Sequence, residues 1–133
     1  MQNESLLHRE LTEQILSAFY QVYNSLGAGF LEKVYENALL LELEGRGLAV
    51  KQQTPIKVYY ASKVVGEYFA DLVVENKVLL ELKAGDTIHQ AHLSQLNNYL
   101  RARRIEVGLI LNFGTKPEFK RRVFTNDRKL SPA

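Results

Sequence analysis

The chain has 133 residues, 46% of them hydrophobic and 24% charged, with a formal net charge of +2 and no cysteine. That size and apolar content suit one globular domain over residues 1–133, and the missing thiols exclude disulfides, thiolate catalysis and cysteine-ligated zinc or iron-sulfur centres, so any metal must sit on oxygen or imidazole. The net charge hides a division: residues 1–100 carry 8 Lys+Arg against 12 Asp+Glu and the remainder 9 against 3, a basic C-terminal part suited to a polyanion.

The opening stretch, Met1 to Arg9, is polar and lacks the basic-then-apolar pattern of a signal segment, and no apolar run approaches the length needed to cross a bilayer. A cytoplasmic protein with no membrane partner is the expectation. From Leu7 to Leu26 the residues Leu7, Leu11, Ile15, Phe19, Val22 and Leu26 recur every three or four positions, which predicts a helix with one buried face, ended by Gly27 and Gly29. A second helix is predicted over Leu31 to Glu44, with Leu31, Val34, Ala38 and Leu41 inward, before Gly45 and Gly47 break it.

After Val50 the period changes to two. Ile56, Val58 and Tyr60 alternate with Lys57 and Tyr59, predicting a half-buried strand with Pro55 near its start. A second strand is expected from Val64 to Val74 and a third from Lys77 to Lys83. A helix over Ile88 to Arg103 follows, its buried stripe being Leu93, Leu96 and Leu100. The run Val107-Gly-Leu-Ile-Leu-Asn112 then predicts a strand buried on both faces and parallel to a neighbour, because a helix precedes it. Phe119 to Phe124 suggests one further edge strand.

The chemistry gathers on the middle strands. Glu81 and Lys83, two apart, leave the same face of a strand that is otherwise Val78, Leu79, Leu80 and Leu82, and charges there are costly unless partnered or functional. Asp71 is a lone acid in the apolar strand before. Two carboxylates and a lysine from adjacent strands suit a hard cation such as Mg²⁺ or Mn²⁺, which favours carboxylate oxygen and water. Such a cation polarises a phosphodiester and activates water, while the lysine orients that water and offsets phosphate charge. The arrangement demands one register: a two-residue turn would place Asp71 against Leu80, whereas a three-residue loop Glu75-Asn76-Lys77, or a bulge, sets Val74 against Val78 and Asp71 against Glu81.

Asp71 followed by Glu81-x-Lys83 resembles the signature of the PD-(D/E)XK nuclease superfamily, with Ala70 standing where the superfamily name has proline. Gly29-Phe-Leu-Glu32-Lys-Val-Tyr35 is similar to the Gly-x-x-Glu-x-x-Tyr segment of one small family within it, and Gln95-Leu-Asn-Asn-Tyr99 resembles the Gln-x-x-x-Tyr element of RecB-type members. The resemblance implies an α/β, restriction-endonuclease-like αβββαβ core with an additional N-terminal helix. It further implies Asp71 and Glu81 as metal ligands with the Leu82 carbonyl as a third, Lys83 as catalytic lysine, and Glu32 as an additional ligand or water-holding group. Gln95 and Tyr99 would support the site or contact nucleic acid. His92, Arg103, Arg104, Arg121 and Arg122 are added as expected phosphate contacts.

The implied activity is metal-dependent hydrolysis of nucleic acid, DNA being the expected polymer, with one or two Mg²⁺ or Mn²⁺ ions. The alternative is a non-catalytic module of the same fold that binds nucleic acid or protein. At this size a dimer or larger complex would help recognition. Plainer readings stand beside these: Glu32 with Glu36 and Lys33 as an exposed helix face, Tyr35 as core, and His89 with His92 as a pair lacking a third zinc ligand.

Overall fold

Five strands form one sheet in the order β1-β2-β3-β4-β5, sandwiched between helices. The computed structural model describes residues 7–129; Met1 to Leu6, most of the polar opening stretch, lie outside the described residues. The chain runs α1 (Arg9–Leu26), α2 (Glu32–Gly45), β1 (Val50–Tyr60), β2 (Lys63–Val74), β3 (Val78–Lys83), α3 (Gln90–Ala102), β4 (Val107–Phe113) and β5 (Pro117–Val123). No helix among the described residues is long and apolar enough to cross a membrane.

Each face of the sheet buries alternate side chains, as period-two geometry requires. Leu72, Val74, Val78, Leu80, Leu82, Leu109 and Leu111 pack with Ile15, Phe19, Tyr35 and Leu39 of α1 and α2. On the other face Val73, Leu79 and Ile110 pack with Leu93, Leu96 and Leu100 of α3. Burying one such leucine contributes roughly 1.5–3 kcal/mol. α3 sits close to β4 because Gly108 has no side chain: a Cβ there would come within 2.7 Å of Leu96 Cδ1. β4 is buried along its whole length and lies parallel to β3, as its two-faced apolar run implies.

The first expected helix face is largely as predicted, but that of α2 is not. Leu31, Val34 and Leu41 are exposed, at 81%, 40% and 70%, while Tyr35, Glu36, Leu39 and Leu43 are buried. The apolar run from Ala38 to Leu41 fits two helical phases, and Tyr35 selects the one observed. Its ring stacks on Phe113 with centroids 4.3 Å apart, and its hydroxyl donates to the Gly27 carbonyl at 2.6 Å and accepts from the Phe30 N–H at 3.2 Å.

Pro55 lies in the middle of β1, not near its start, which is tolerable because β1 is an edge strand and the missing N–H costs the ladder nothing on that side. β1 and β2 pair from Val50/Val74 out to Tyr60/Lys63, whereas β3 pairs with β2 only over Leu72 to Val74. The hairpin therefore continues past β3 as a two-stranded arm, and Val58 and Tyr60, expected inward, are exposed on it.

Candidate active site

The turn between β2 and β3 fixes which side chains meet. Glu75 and Asn76 both adopt left-handed backbone (φ 54° and 53°), and the Lys77 N–H donates to the Val74 carbonyl at 2.9 Å. This primed turn matches the twist of a hairpin. Lys77 is then an extra residue, and the strands pair Val74 with Val78 and Leu72 with Leu80. Continued one step, that register sets Asp71 against Glu81, the pairing that a shared site demands.

At this step the two strands part. The Leu82 N–H, which an unbroken ladder would pair with β2 backbone, instead donates to Asp71 Oδ2 at 2.8 Å. The alternation of β2 also breaks there, since Ala70 packs on the α3 side although it shares parity with Leu72. Across from Asp71, Gln53 has a positive φ of 49° and no ladder partner, while its neighbours Gln52 and Thr54 pair with Leu72 and Ala70. A non-glycine residue held in that region costs about 1–3 kcal/mol, so surrounding contacts must hold it. They are visible: the Gln53 amide donates to Glu36 Oε1 at 3.0 Å and to Asp71 Oδ1 at 3.4 Å.

Glu81 is buried at 6% exposure beside Asp71. Burial, and next the charge of Asp71, push its carboxyl up to about 9, and Lys83 only partly offsets them. α3 covers the pair. Tyr99, also buried, has its hydroxyl pushed up to about 12 by burial and then by the charges of Glu81 and Asp71. His92 is held below its ordinary value by burial and by the charge of Lys83; its Nδ1 accepts from the His89 N–H at 3.2 Å, closing the first turn of α3. The loop beyond Lys83 is clamped by buried Asn112, whose side-chain amide accepts from the Gly85 N–H and donates to its carbonyl, both at 3.0 Å.

Asp71, Glu81, Lys83, Tyr99 and His92 are thus brought together. Glu32 is not: it is the first residue of α2, exposed, and makes no hydrogen bond or ion pair among the described residues. The buried acid of α2 is Glu36, which also accepts from Gln52 Nε2 at 2.8 Å and Lys33 Nζ at 3.0 Å. The reading of Glu36 as exposed surface is corrected. Sequence reasoning missed Glu36 and Gln53; the signal for Glu36 was its place beside the stripe Tyr35, Leu39, Leu43, once that phase is chosen over its rival. Nothing in the sequence marks the backbone of Gln53.

The expected nucleic-acid contacts divide. Gln95, Tyr99, Arg103 and Arg104 line one groove between the arm and α3. Arg121 instead reaches across the other face to the Leu7 carbonyl at 2.8 Å, and Arg122 donates to the Arg121 carbonyl at 2.9 Å. Neither lines the groove.

Among the described residues no group of three or more His, Asp or Glu side chains is placed to hold a metal. Asp71 and Glu81 together supply only two carboxylates. That fits Mg²⁺, which is commonly held by one or two carboxylates and otherwise by water and substrate phosphate, better than the full cages of Ca²⁺ or structural zinc. Two carboxylates confined together with one already forced to keep its proton are a site short of positive charge.

No curated protein matches the chain significantly. A solved structure described as the crystal structure of SSO0001 superposes with a TM-score of 0.53 at 20% sequence identity, covering 89% of this chain and 60% of that one, a likeness of fold. The chain thus spans 60% of the length of that chain. A sequence model of the PD-(D/E)XK nuclease superfamily matches residues 9–122, which includes every strand pairing around Asp71, Glu81 and Lys83. The helix-flanked mixed sheet is accordingly the restriction-endonuclease-like fold, and the chain belongs to the PD-(D/E)XK nuclease superfamily.

Proposed function

We propose that this chain hydrolyses phosphodiester bonds of nucleic acid, with DNA as the expected polymer, at a site made by Asp71, Glu81 and Lys83. The observation that carries the reading is the buried Glu81 carboxyl beside Asp71 at the point where β2 leaves β3. A fold that needed only stability would gain by replacing such a pair with apolar groups.

Asp71 and Glu81 would hold a divalent cation, Mg²⁺ or Mn²⁺, together with the Leu82 carbonyl, which leaves the same strand edge as the Leu82 N–H and so opens towards Asp71. When bound, the cation would polarise the phosphoryl oxygen and lower the pKa of water. Lys83, on the same face as Glu81, offsets charge on the phosphate and orients the attacking water. Glu36 and Gln53 hold Asp71 in place. Within the Gly-x-x-Glu-x-x-Tyr segment, Gly29 (φ 109°) and Tyr35 have structural tasks and Glu32 has none. That leaves Glu32 as an accessory group and supports placing the chain in the family named for this segment. Gln95 and Tyr99, on α3, fit the RecB-type element. The whole of residues 1–133 is read as one cytoplasmic domain, acting as a dimer or within a larger complex.

The test is parallel measurement of cleavage and cation binding. Lys83→Ala should lower cleavage of labelled DNA by about two orders of magnitude or more while Mn²⁺ titration stays near the parent's. Glu81→Ala should abolish both. A folded parent that binds DNA in Mn²⁺ and cuts no substrate would turn the assignment to a non-catalytic binding module.

A further inference from the structure

The groove between the β1–β2 arm and α3 has a volume of about 1030 Å³. Its lining combines two chemistries. Lys57, Arg101 and Arg104 are exposed, and their charged ends make no hydrogen bond or ion pair among the described residues. Arg103 and Lys129 supply further positive charge but are fixed to the protein, Arg103 on the Pro55 carbonyl at 2.8 Å and Lys129 on the Arg103 and Ile105 carbonyls. No aspartate or glutamate lines the groove among the described residues.

Between these cations lie aromatic faces. Tyr59 and Tyr68 on the arm are 41% and 48% exposed. Tyr68 leans on Tyr99 with ring centroids 5.5 Å apart, and Tyr99 is buried in the same cluster as Ala70, the residue before Asp71. The aromatic wall therefore leads from the open arm to the carboxylate pair.

From this combination we infer that the groove binds single-stranded nucleic acid and delivers it to the Asp71–Glu81 pair, an inference that rests on the nucleic-acid reading of that site. Phosphates require only the cations, which a duplex would satisfy equally. Exposed tyrosine rings require unstacked base faces, and a duplex keeps its base faces inside its own stack. Acid-free lining removes the repulsion that would otherwise oppose a backbone passing along the groove. The arm's extension past β3 gives the groove its second wall, built from Lys57, Val58 and Tyr59 on β1 and Tyr68 on β2.

The inference is tested by fluorescence anisotropy of the intact protein in EDTA, so that no bond is broken and a failure of the hydrolysis reading leaves the result unaffected. The probes are labelled single-stranded DNA, single-stranded RNA of the same sequence, and the matching DNA duplex. At least one single strand should bind about tenfold more tightly than the duplex, the scale of one base stacked on an aromatic ring. Tyr59→Ala and Tyr68→Ala should each remove about that factor for the single strand and leave duplex binding alone, while Tyr68→Phe binds like the parent. Should Tyr68→Ala melt early, Tyr59→Ala on the open arm and Tyr68→Phe still decide. The triple variant Lys57→Ala, Arg101→Ala, Arg104→Ala should lower the salt slope of single-strand binding by about 2. Duplex binding as tight as single-strand binding, tyrosine variants that bind like the parent, or no binding at all would overturn the inference.

Discussion

Replacing Glu81 by glutamine keeps the shape of the side chain and removes its acid, and the structure sets the size of the effect. In the unfolded chain this carboxyl loses its proton near the ordinary value of 4.5, whereas in the fold it keeps it up to about 9. Between those values the unfolded state has shed a proton that the folded state still holds, so stability in the absence of metal falls as pH rises, by about 1.4 kcal/mol per pH unit from this group. At pH 7 the loss amounts to about 3 kcal/mol, which Glu81→Gln recovers; for a chain of this length that is roughly 10 °C in Tm. His8 and His92, both held below their ordinary value first by burial, work in the opposite direction through the same range, so the quantity to read is the difference between variant and parent. Thermal melts in EDTA from pH 5 to 9 should show a parent that loses stability with pH and a variant that loses much less. Mg²⁺ should then raise the melting temperature of the parent and leave the variant's unchanged. A variant that melts below the parent at pH 8 would refute the argument that Glu81 is held against its own charge.

Tyr35→Phe should cost about 1–3 kcal/mol in urea unfolding, because the Gly27 carbonyl and Phe30 N–H lose their shared partner. Gly114→Ala should destabilise by about 1–3 kcal/mol and disturb the Asn112 clamp, since the added carbon would collide with the Gly85 carbonyl; equilibrium unfolding and amide exchange at Gly85 read it. The double variant Arg103→Ala, Arg104→Ala should flatten the salt dependence of oligonucleotide binding by about 1 to 2, whereas Arg121→Ala, Arg122→Ala should leave the slope as it is, because neither residue lines the groove.

Much of this fold is legible in the sequence where one physical constraint acts alone. Val107 to Leu111 is apolar at every position but Gly108, which suits a short strand covered on both faces, and the spacing of Leu93, Leu96 and Leu100 admits one helical phase. The register at Asp71 followed from the demand that two acids share a face. Where two arrangements bury similar area, pattern does not decide: α2 offered two phases, and the choice was made by a distant partner, Phe113, against the Tyr35 ring. Pro55 misled about the start of β1 because its effect depends on which side of the strand is open. Charge alone groups Arg121 and Arg122 with Arg103 and Arg104, although adjacent residues on a strand leave opposite faces and reach different surroundings. The Glu36–Gln53–Asp71 chain depends on a left-handed residue inside a strand, and no local propensity marks that.

The extra residue at Lys77 carries information that the core does not. β3 is apolar towards both helix layers over Val78, Leu79 and Leu80, so along that stretch a slide by one position exchanges apolar for apolar, and the phase is marked by Glu81 and Lys83, which the slide would turn towards the α1/α2 core. The carboxylates are less forgiving, since the same slide would set Asp71 and Glu81 back to back across the sheet. Hydrophobicity here recruits the strand, while a single residue of punctuation in the turn decides whether the recruited strand has chemistry on it. Shortening that turn by Lys77 should therefore yield a protein that has lost the Asp71–Glu81 pair and melts below the parent, because Glu81 would then lie among the apolar side chains beneath α1 and α2.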